Sequence, residues 1–143
     1  MELKIKLAPG AIMPTNATDG SACFDLYAAK DAYLDDIAHP NAIIPTGLFV
    51  EVPAGYVLMI YSRSGHGFKN NVRLANCTGV IDSDYRGEIM IKLTVDHHGL
   101  LTIREGDRIA QAMLIPVPKV QFVAVEELSE TQRATGGFGS TGA

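Results

Sequence analysis

The segment "NCTGVIDSDYRGEIMIKL", residues 76–93, carries two aspartates, Asp82 and Asp84, just after an apolar run. Asp82 directly follows that run at the end of a predicted strand, where a carboxylate is held rigidly and partly out of water, as suits a general base. Asp84 lies among residue types that are typical of turns. The pattern therefore predicts a hairpin of two strands that turns near residues 82–87, with Asp82 as the candidate base and Asp84 as a turn residue.

A second group of polar residues lies in "YSRSGHGFKNNVR", which combines Arg63, Ser64, Lys69 and Arg73 with two glycines. The planar guanidinium of arginine and free backbone N–H groups both suit phosphate oxygens, which indicates an anion site. The same composition is also typical of a solvated basic loop, and this segment alone does not decide between the two.

The segment "EGDRIAQAML" joins a turn at residues 106–107 to a predicted strand whose polar side carries Arg108 and Gln111. Taken alone, it favours a turn that is stabilised by Asp107, followed by an exposed strand face.

The C-terminal segment "RATGGFGSTGA", residues 133–143, has four glycines around a single aromatic residue. This composition favours a disordered tail. Glycine-rich backbone beside Arg133 can also wrap a phosphate, and Phe138 can cover a base, so a binding role stays open. The segment lacks the Lys-Ser/Thr ending of a P-loop.

The histidines indicate no catalytic role. On a predicted strand His97 and His98 would point to opposite faces and make a poor metal chelate. His39 and His66 lie in loop-like segments without partner spacing.

Alternating apolar and polar residues predict strands in seven segments, with Gly, Pro, Asn and Asp between them. The segments are "ELKIKL", "CFDLYA", "GLFVEV", "YVLMIY", "EIMIKLTV", "RIAQAMLI" and "QFVAVEEL". Only "SRSGHGFKNN" allows a turn or two of helix. We therefore expect an all-β sandwich or barrel.

The 143 residues suit one domain with its own core. With 12 Lys and Arg against 16 Asp and Glu, the chain lacks the polycation character behind nonspecific nucleic-acid binding. The most apolar window is broken by Pro45, Glu51 and Pro53, and no secretory signal is recognisable, so we expect a soluble protein without a membrane span. Cys23 and Cys77 fit reduced cytosolic thiols.

Five segments, in this order, resemble the motifs of the homotrimeric dUTPase family: "ACFDLYA", "SRSG", "NCTGVIDSDYRG", "GDRIAQ" and "RATGGFGSTG". They span residues 22–142. The family commonly has Gly, Pro and Gly where Cys23, Ser62 and Ala134 stand here. None of these departures removes a polar catalytic group.

The resemblance implies an antiparallel, jelly-roll-like (β-clip) subunit over residues 1–129 and a flexible, Gly-rich C-terminal lid over residues 130–143. It also implies a cytoplasmic homotrimer, or one in the host cytoplasm if virus-encoded, with active sites shared between subunits. The reaction would be hydrolysis of dUTP to dUMP and pyrophosphate with Mg²⁺, which keeps uracil out of DNA and supplies dUMP for dTTP synthesis.

The resemblance also assigns roles to individual residues. Asp82 would activate the water that attacks the α-phosphorus and contact the 3′-hydroxyl, Tyr85 would exclude a 2′-hydroxyl, and Asp25 would reach the metal through water. The remaining substrate contacts would come from the uracil-reading group Asn76, Gly79, Val80, Ile81 and Met90, the phosphate-binding group Arg63, Ser64, Gly65 and Gln111, and the lid group Arg133, Phe138, Gly139, Ser140 and Thr141.

Two alternatives share this sequence pattern. dCTP deaminase has the same fold but needs a glutamate at the position where Lys92 stands, and lysine cannot replace that carboxylate. A dUTPase-like protein that acts through protein contacts, such as a regulatory or phage-encoded binder, is the non-enzymatic alternative.

Overall fold

The computed structural model describes residues 1–137, which contain eleven strands and one short helix. In chain order they are β1 Lys4–Leu7, β2 Thr15–Asn16, β3 Phe24–Tyr27, β4 Ala32–Asp35, β5 Asn41–Glu51, β6 Tyr56–Tyr61, α1 Ser64–Asn70, β7 Val72–Leu74, β8 Thr78–Ile81, β9 Glu88–Val95, β10 Leu100–Ile103 and β11 Arg108–Pro116. The prediction of an all-β chain with at most a turn or two of helix is confirmed. No helix within residues 1–137 is long and apolar enough to cross a membrane.

The strands form three antiparallel sheets. One has four strands in the order β1-β5-β9-β7, a second has five in the order β2-β3-β11-β6-β8, and β10 pairs with β4 in a third. All three contribute to one apolar core, with fully buried residues such as Ile91 on β9, Leu58 on β6 and Leu34 on β4. Along β9 buried residues alternate with polar or exposed ones, as the sequence pattern predicts.

Strand β5 contains a bulge in its pairing with β9. Its register against β9 shifts between Pro45 and Phe49, because proline has no N–H to give to a ladder. Inside the shift, the buried Thr46 hydroxyl donates to the Ile89 carbonyl at 2.7 Å. The bulge therefore leaves this buried hydroxyl with a partner.

The predicted hairpin around residues 82–87 is wrong. Strand β8 pairs with β6, and β9 pairs with β5 and β7, so the two strands lie in different sheets. Residues 82–87 still turn, with the Tyr85 N–H donating to the Asp82 carbonyl at 3.2 Å, but they connect two sheets. The alternating pattern predicts strands, but it does not predict which strand of which sheet each will pair with.

Two further predictions fail in the described part of the chain. The segment at residues 121–128 is not in a strand, since it pairs with no other strand there. Strand β9 ends at Val95, so His97 and His98 lie in a turn instead of on opposite strand faces, and their ring centroids are 3.8 Å apart.

Candidate active site

The buried carboxylate of Asp25, on β3, is held between two arginines. Asp25 is only 7% exposed. Nε of Arg63 donates to its Oδ1 at 2.9 Å, and a guanidinium nitrogen of Arg108 donates to its Oδ2 at 3.2 Å. A buried carboxylate is costly unless it is paired, and here two positive charges face one negative charge. The cluster keeps a net positive charge that suits an anionic ligand.

A cavity of about 300 Å³ opens beside this cluster. It is lined by the five residues that the family resemblance assigned to phosphates or metal outside the lid: Asp25, Arg63, Ser64, Gly65 and Gln111. Lys69 and Arg73, which the basic segment also offered for an anion site, do not line it. Gln111 is fixed by the hydrogen bond from its Nε2 to the carbonyl of Ser62 at 2.9 Å. The structure therefore brings this group together around one opening.

Arg108 also lines the cavity, although the sequence favoured an exposed strand face for it. In a regular strand Arg108 and Gln111, three positions apart, would point to opposite faces. The register of β11 against β3 shifts between Arg108 and Ala110. This bulge interrupts the alternation of side chains between the two faces, so that Arg108 and Gln111 both lie on the side of Asp25. Alternation alone could not reveal this bulge.

Cys23 lies in the same cavity. Burial, and after it the charge of the neighbouring Asp25, raises the pKa of the Cys23 thiol above its ordinary value. A raised pKa lowers the fraction of reactive thiolate, so this environment does not activate Cys23 as a nucleophile.

The donor set of this cavity fits one kind of magnesium binding. Mg²⁺ prefers oxygen ligands, keeps several waters and is commonly carried by substrate phosphates. Among the residues that line the cavity, Asp25 is the one carboxylate, and both of its oxygens already accept hydrogen bonds from arginine. The site fits a magnesium ion carried by substrate phosphates, which Asp25 would reach through water.

A second cavity, of about 420 Å³, lies between β8 and β9, where the two strands separate into different sheets. It is lined by the whole predicted uracil-reading group: Asn76, Gly79, Val80, Ile81 and Met90. Because β8 is the last strand of its sheet, one edge of its backbone has no strand partner within residues 1–137. Unpaired peptide groups at such an edge can hydrogen-bond a planar polar ligand.

Asp82 and Tyr85 come after β8 in the chain, next to the strand that lines this second cavity. Asp82 is exposed, so the partial desolvation predicted for this carboxylate is not found in the described chain. It lines a separate, wider depression of about 670 Å³ together with Gly55 and Pro118. The Tyr85 hydroxyl donates to the Glu88 carbonyl at 2.9 Å, which fixes the ring beside the turn.

Asp82 lies far from Asp25 in the same chain. Asp25, Gln111, Tyr61 and Thr78 face one another in a single row across β3, β11, β6 and β8. Asp82 is four residues beyond Thr78 and three strands from Asp25, which corresponds to about 13 Å along the strand and 14 Å across, or roughly 20 Å in all. One chain therefore does not bring both carboxylates to the same phosphate group.

The C-terminal group is only partly described. Arg133 is exposed, and its Nε donates to the Gly136 carbonyl at 2.9 Å. Ala134 has a φ of 44°, in the left-handed region that favours glycine. The predicted site residues Phe138, Gly139, Ser140 and Thr141 lie outside the described residues.

Comparison with known proteins gives consistent matches over nearly the whole chain. The dUTPase family model matches residues 10–142. The deoxyuridine 5′-triphosphate nucleotidohydrolase of Nautilia profundicola is 43% identical over 143 residues, 99% of each chain. A solved structure of the Staphylococcus bacteriophage 80alpha dUTPase with dUPNHPP is similar with a TM-score of 0.90, 29% identity and 99% of both chains covered. A variant dUTPase from S. aureus phage phi11, described with a structural Mg(II) ion, has a TM-score of 0.79 and 25% identity, covering 91% of this chain and all of that one. The all-β, jelly-roll-like (β-clip) fold expected from the sequence is the fold of these structures.

Proposed function

Because this chain belongs to the dUTPase family and is a dUTP diphosphatase, we propose that it forms dUMP and pyrophosphate by in-line attack of an Asp82-activated water on the α-phosphorus. The observation that carries this mechanism is the division of the predicted site residues into two groups. One surrounds the cationic cavity at Asp25, and the other surrounds the edge of β8 next to Asp82.

The cationic cavity is the proposed site of the phosphate chain. Arg63 and Arg108 offer guanidinium N–H groups, and Ser64, Gly65 and Gln111 offer further donors around the same opening. Charge-assisted hydrogen bonds are roughly twice as strong as neutral ones, so the two arginines would carry most of the binding. Magnesium bound with the phosphates would supply neutralisation of negative charge, and Asp25 would contact it through water.

Asp82 is the proposed general base. A positioned base contributes about 10²- to 10⁴-fold to the rate, so most of the acceleration must come from aligning the water with the phosphorus and from stabilising charge in the transition state. Asp82 follows directly after β8, which limits the positions that its carboxylate can reach. It would accept the water proton and also contact the 3′-hydroxyl of the deoxyribose.

The cavity between β8 and β9 is the proposed uracil site. Gly79, Val80 and Ile81 of β8 line it together with Met90 of β9. The close approach of β9 would leave no space for a 5-methyl group. Tyr85, held by its bond to Glu88, would lie against the sugar and exclude a 2′-hydroxyl.

The separation between Asp25 and Asp82 supports active sites shared between subunits of a homotrimer. Each site would combine the cationic cavity of one subunit with the β8 edge of another, and the lid over residues 130–143 would close on the bound substrate. The arm at residues 117–128 supports such an assembly, because its large apolar side chains face water in the single chain: Val117, Val120, Phe122, Val123, Val125 and Leu128. Burying Phe122 or Leu128 against a neighbour would contribute about 1.5–3 kcal/mol each.

In the cell, we place the enzyme in the cytoplasm, or in the host cytoplasm if it is virus-encoded. There its reaction would keep uracil out of DNA and supply dUMP for dTTP synthesis. The deaminase alternative is disfavoured because Lys92 lines the cavity between β8 and β9, at the position where deamination needs a carboxylate.

Pyrophosphate release from dUTP, UTP, dTTP and dCTP with Mg²⁺ tests the mechanism in the wild type and in Asp82→Asn. We expect strong preference for dUTP and a loss of at least about 10²-fold in the variant, because the general base is removed. Asp84→Asn is the matched control, since it removes a carboxylate two residues away in the same turn and should leave turnover nearly unchanged. Circular dichroism verifies that both variants fold. An active Asp82→Asn enzyme would refute the base assignment.

A further inference from the structure

We propose that Asp36, His97 and His98 form a binding site for a divalent transition-metal ion of the Zn²⁺ class, separate from the magnesium–phosphate site. One possible ligand atom from each side chain lies within 4.8 Å of the other two. The cluster combines two imidazoles with one carboxylate, which is a ligand set that zinc sites use. The proposal goes beyond nucleotide hydrolysis and does not depend on it.

The two histidines reach one side of the chain because of the turn between β9 and β10. The Gly99 N–H donates to the Asp96 carbonyl at 3.0 Å, which closes the turn around His97 and His98. His98 occupies the third position of this turn with a φ of 60°, a region that favours glycine or asparagine. This conformation leaves the two rings 3.8 Å apart and tilted by 40°.

Neighbouring backbone fixes the turn in this form. The Asn71 side chain donates to the His97 carbonyl at 3.2 Å, and the Asp96 N–H donates to the Asn71 carbonyl at 2.8 Å. At Gly99 a side chain would meet the Asn70 carbonyl oxygen at 2.7 Å, so only glycine allows this close approach. The backbone that carries the two histidines is therefore fixed by the fold before any ion binds.

Asp36 brings the third ligand from another part of the chain. It follows β4, whose last residue, Asp35, is paired with the first residue of β10. Oδ2 of Asp36 accepts a hydrogen bond from the backbone N–H of His98 at 2.7 Å and lies 3.7 Å from Nδ1 of His97. This backbone hydrogen bond holds the carboxylate beside both rings.

The chemistry of the cluster favours zinc, nickel or copper over magnesium. Neutral imidazoles suit these borderline ions, whereas magnesium prefers oxygen ligands in octahedral geometry. The site is exposed, so water would complete the coordination sphere. A bound ion would link the β9–β10 turn to the end of β4 and stabilise the small sheet formed by β4 and β10.

Isothermal titration of the full-length, untagged protein with ZnCl₂, NiCl₂ and MgCl₂ tests the proposal. We expect saturable binding of one Zn²⁺ or Ni²⁺ per chain and much weaker Mg²⁺ binding in the absence of nucleotide. His97→Gln and His98→Asn should each weaken Zn²⁺ binding by at least about tenfold, because even the loss of outer-shell partners costs about 10- to 100-fold. Asparagine tolerates the backbone conformation at position 98, so that variant should keep the turn.

The matched control is His39→Gln, which removes another exposed histidine that lies beside a carboxylate, 3.1 Å from Oδ2 of Asp35. It should bind Zn²⁺ like the wild type. Zn²⁺ should also raise the thermal midpoint of the wild type and of this control, but not of the His97 and His98 variants. Absence of saturable binding, equal binding by all variants, or one ion per three chains would overturn the proposal.

Discussion

Arg108 donates a hydrogen bond to Oδ2 of Asp25 at 3.2 Å, and this contact exists only because β11 is bulged beside it. Arg63 occupies the other carboxylate oxygen, so the acid remains paired if either arginine is lost. The second arginine is therefore not needed to satisfy Asp25. Its remaining N–H groups are available to a ligand in the cavity, and we therefore propose that Arg108 contributes to substrate binding.

Replacing Arg108 with glutamine should lower kcat/KM for dUTP by about 10- to 100-fold, because a hydrogen bond to a charged group contributes about 1.5–3 kcal/mol. Steady-state pyrophosphate release measures the change, and a thermal melt checks the fold. Arg104→Gln is the matched control, since Arg104 lies nearby on the surface and pairs with Asp31 at 2.7 Å. Equal kcat/KM values for the two variants would show that Arg108 does not bind substrate.

The distance of roughly 20 Å between Asp25 and Asp82, from strand spacings, predicts complementation between inactive variants. Asp82→Asn and Arg63→Gln should each be inactive as pure oligomers. When the two are unfolded together and refolded as mixed trimers, about a quarter of the shared sites should combine an intact Arg63 with an intact Asp82. Turnover per chain should then recover to a corresponding fraction of the wild-type value.

Two controls make the complementation test specific. Mixing the folded variants without subunit exchange should give no recovery, and the double variant mixed with wild type should give only the activity of intact sites. Analytical ultracentrifugation measures the oligomeric state of each sample. Mixed oligomers that stay inactive would mean that each chain builds its own site.

Some features of this molecule follow from the sequence, and others depend on contacts that the sequence pattern does not specify. The alternation in residues 88–95 predicts β9 and its buried face, because burial of every second residue depends only on strand geometry. Pairing partners depend on which sheet edges remain open, so the separation of β8 from β9 was missed. The residues predicted to bind phosphates nevertheless line one cavity, and the residues predicted to contact uracil line another.

Local irregularities account for the other differences. The bulge at Arg108 and the left-handed conformation of His98 each change the direction of a side chain without a mark in the apolar pattern. The alternation at residues 121–128 predicts a strand that is wrong for the described structure, because this segment pairs with no strand within residues 1–137. Alternation shows that a segment could pair, but pairing also needs an open strand edge.

Gly87→Ala should relax the discrimination between dUTP and UTP. A side chain at Gly87 would clash with the Tyr85 hydroxyl oxygen and would meet a ring carbon of Tyr85 at 2.5 Å, so the aromatic ring must move. We expect the ratio of kcat/KM for dUTP to that for UTP to fall by at least about tenfold, which corresponds to about 1.4 kcal/mol. Tyr85→Phe keeps the ring and should preserve most of the ratio. Unchanged discrimination in Gly87→Ala would contradict the steric role of Tyr85.

Removal of residues 133–143 should reduce turnover of dUTP strongly while the oligomer persists. The removed segment contains the proposed lid contacts, whereas the strands of the described core end at Pro116. A closing lid excludes water and completes the site, so kcat should fall along with substrate affinity. Arg133→Ala alone should show a smaller loss. Normal turnover by the shortened chain would indicate a tail without a role in catalysis.

Asp35 should make stability depend on pH in the acidic range. Its Oδ1 accepts hydrogen bonds from the backbone N–H groups of Ile37 at 2.8 Å and Ala38 at 2.6 Å, and its Oδ2 faces the His39 ring at 3.1 Å. The Ala38 N–H, followed by the His39 ring and the Ile37 N–H, lowers the pKa of Asp35 well below its ordinary value. The folded state therefore favours the ionised carboxylate.

Because the pKa of Asp35 is lower in the folded chain, its stabilising effect is complete above the unfolded pKa of about 3.9 and is lost as the pH falls through the folded value. Asp35→Ala should therefore be less stable than the wild type at neutral pH, and this difference should shrink as the pH is lowered below about 4. Asp35→Asn, which keeps an oxygen acceptor for the two N–H groups, should have a free energy of unfolding between those of the wild type and Asp35→Ala.

Urea unfolding in EDTA at a series of pH values measures the effect without a contribution from metal at Asp36. Asp19→Ala, at an exposed carboxylate with no side-chain hydrogen bond in the described structure, is the control. If the wild type and Asp35→Ala differ by the same amount at every pH, the hydrogen bonds to Asp35 do not favour its charged form.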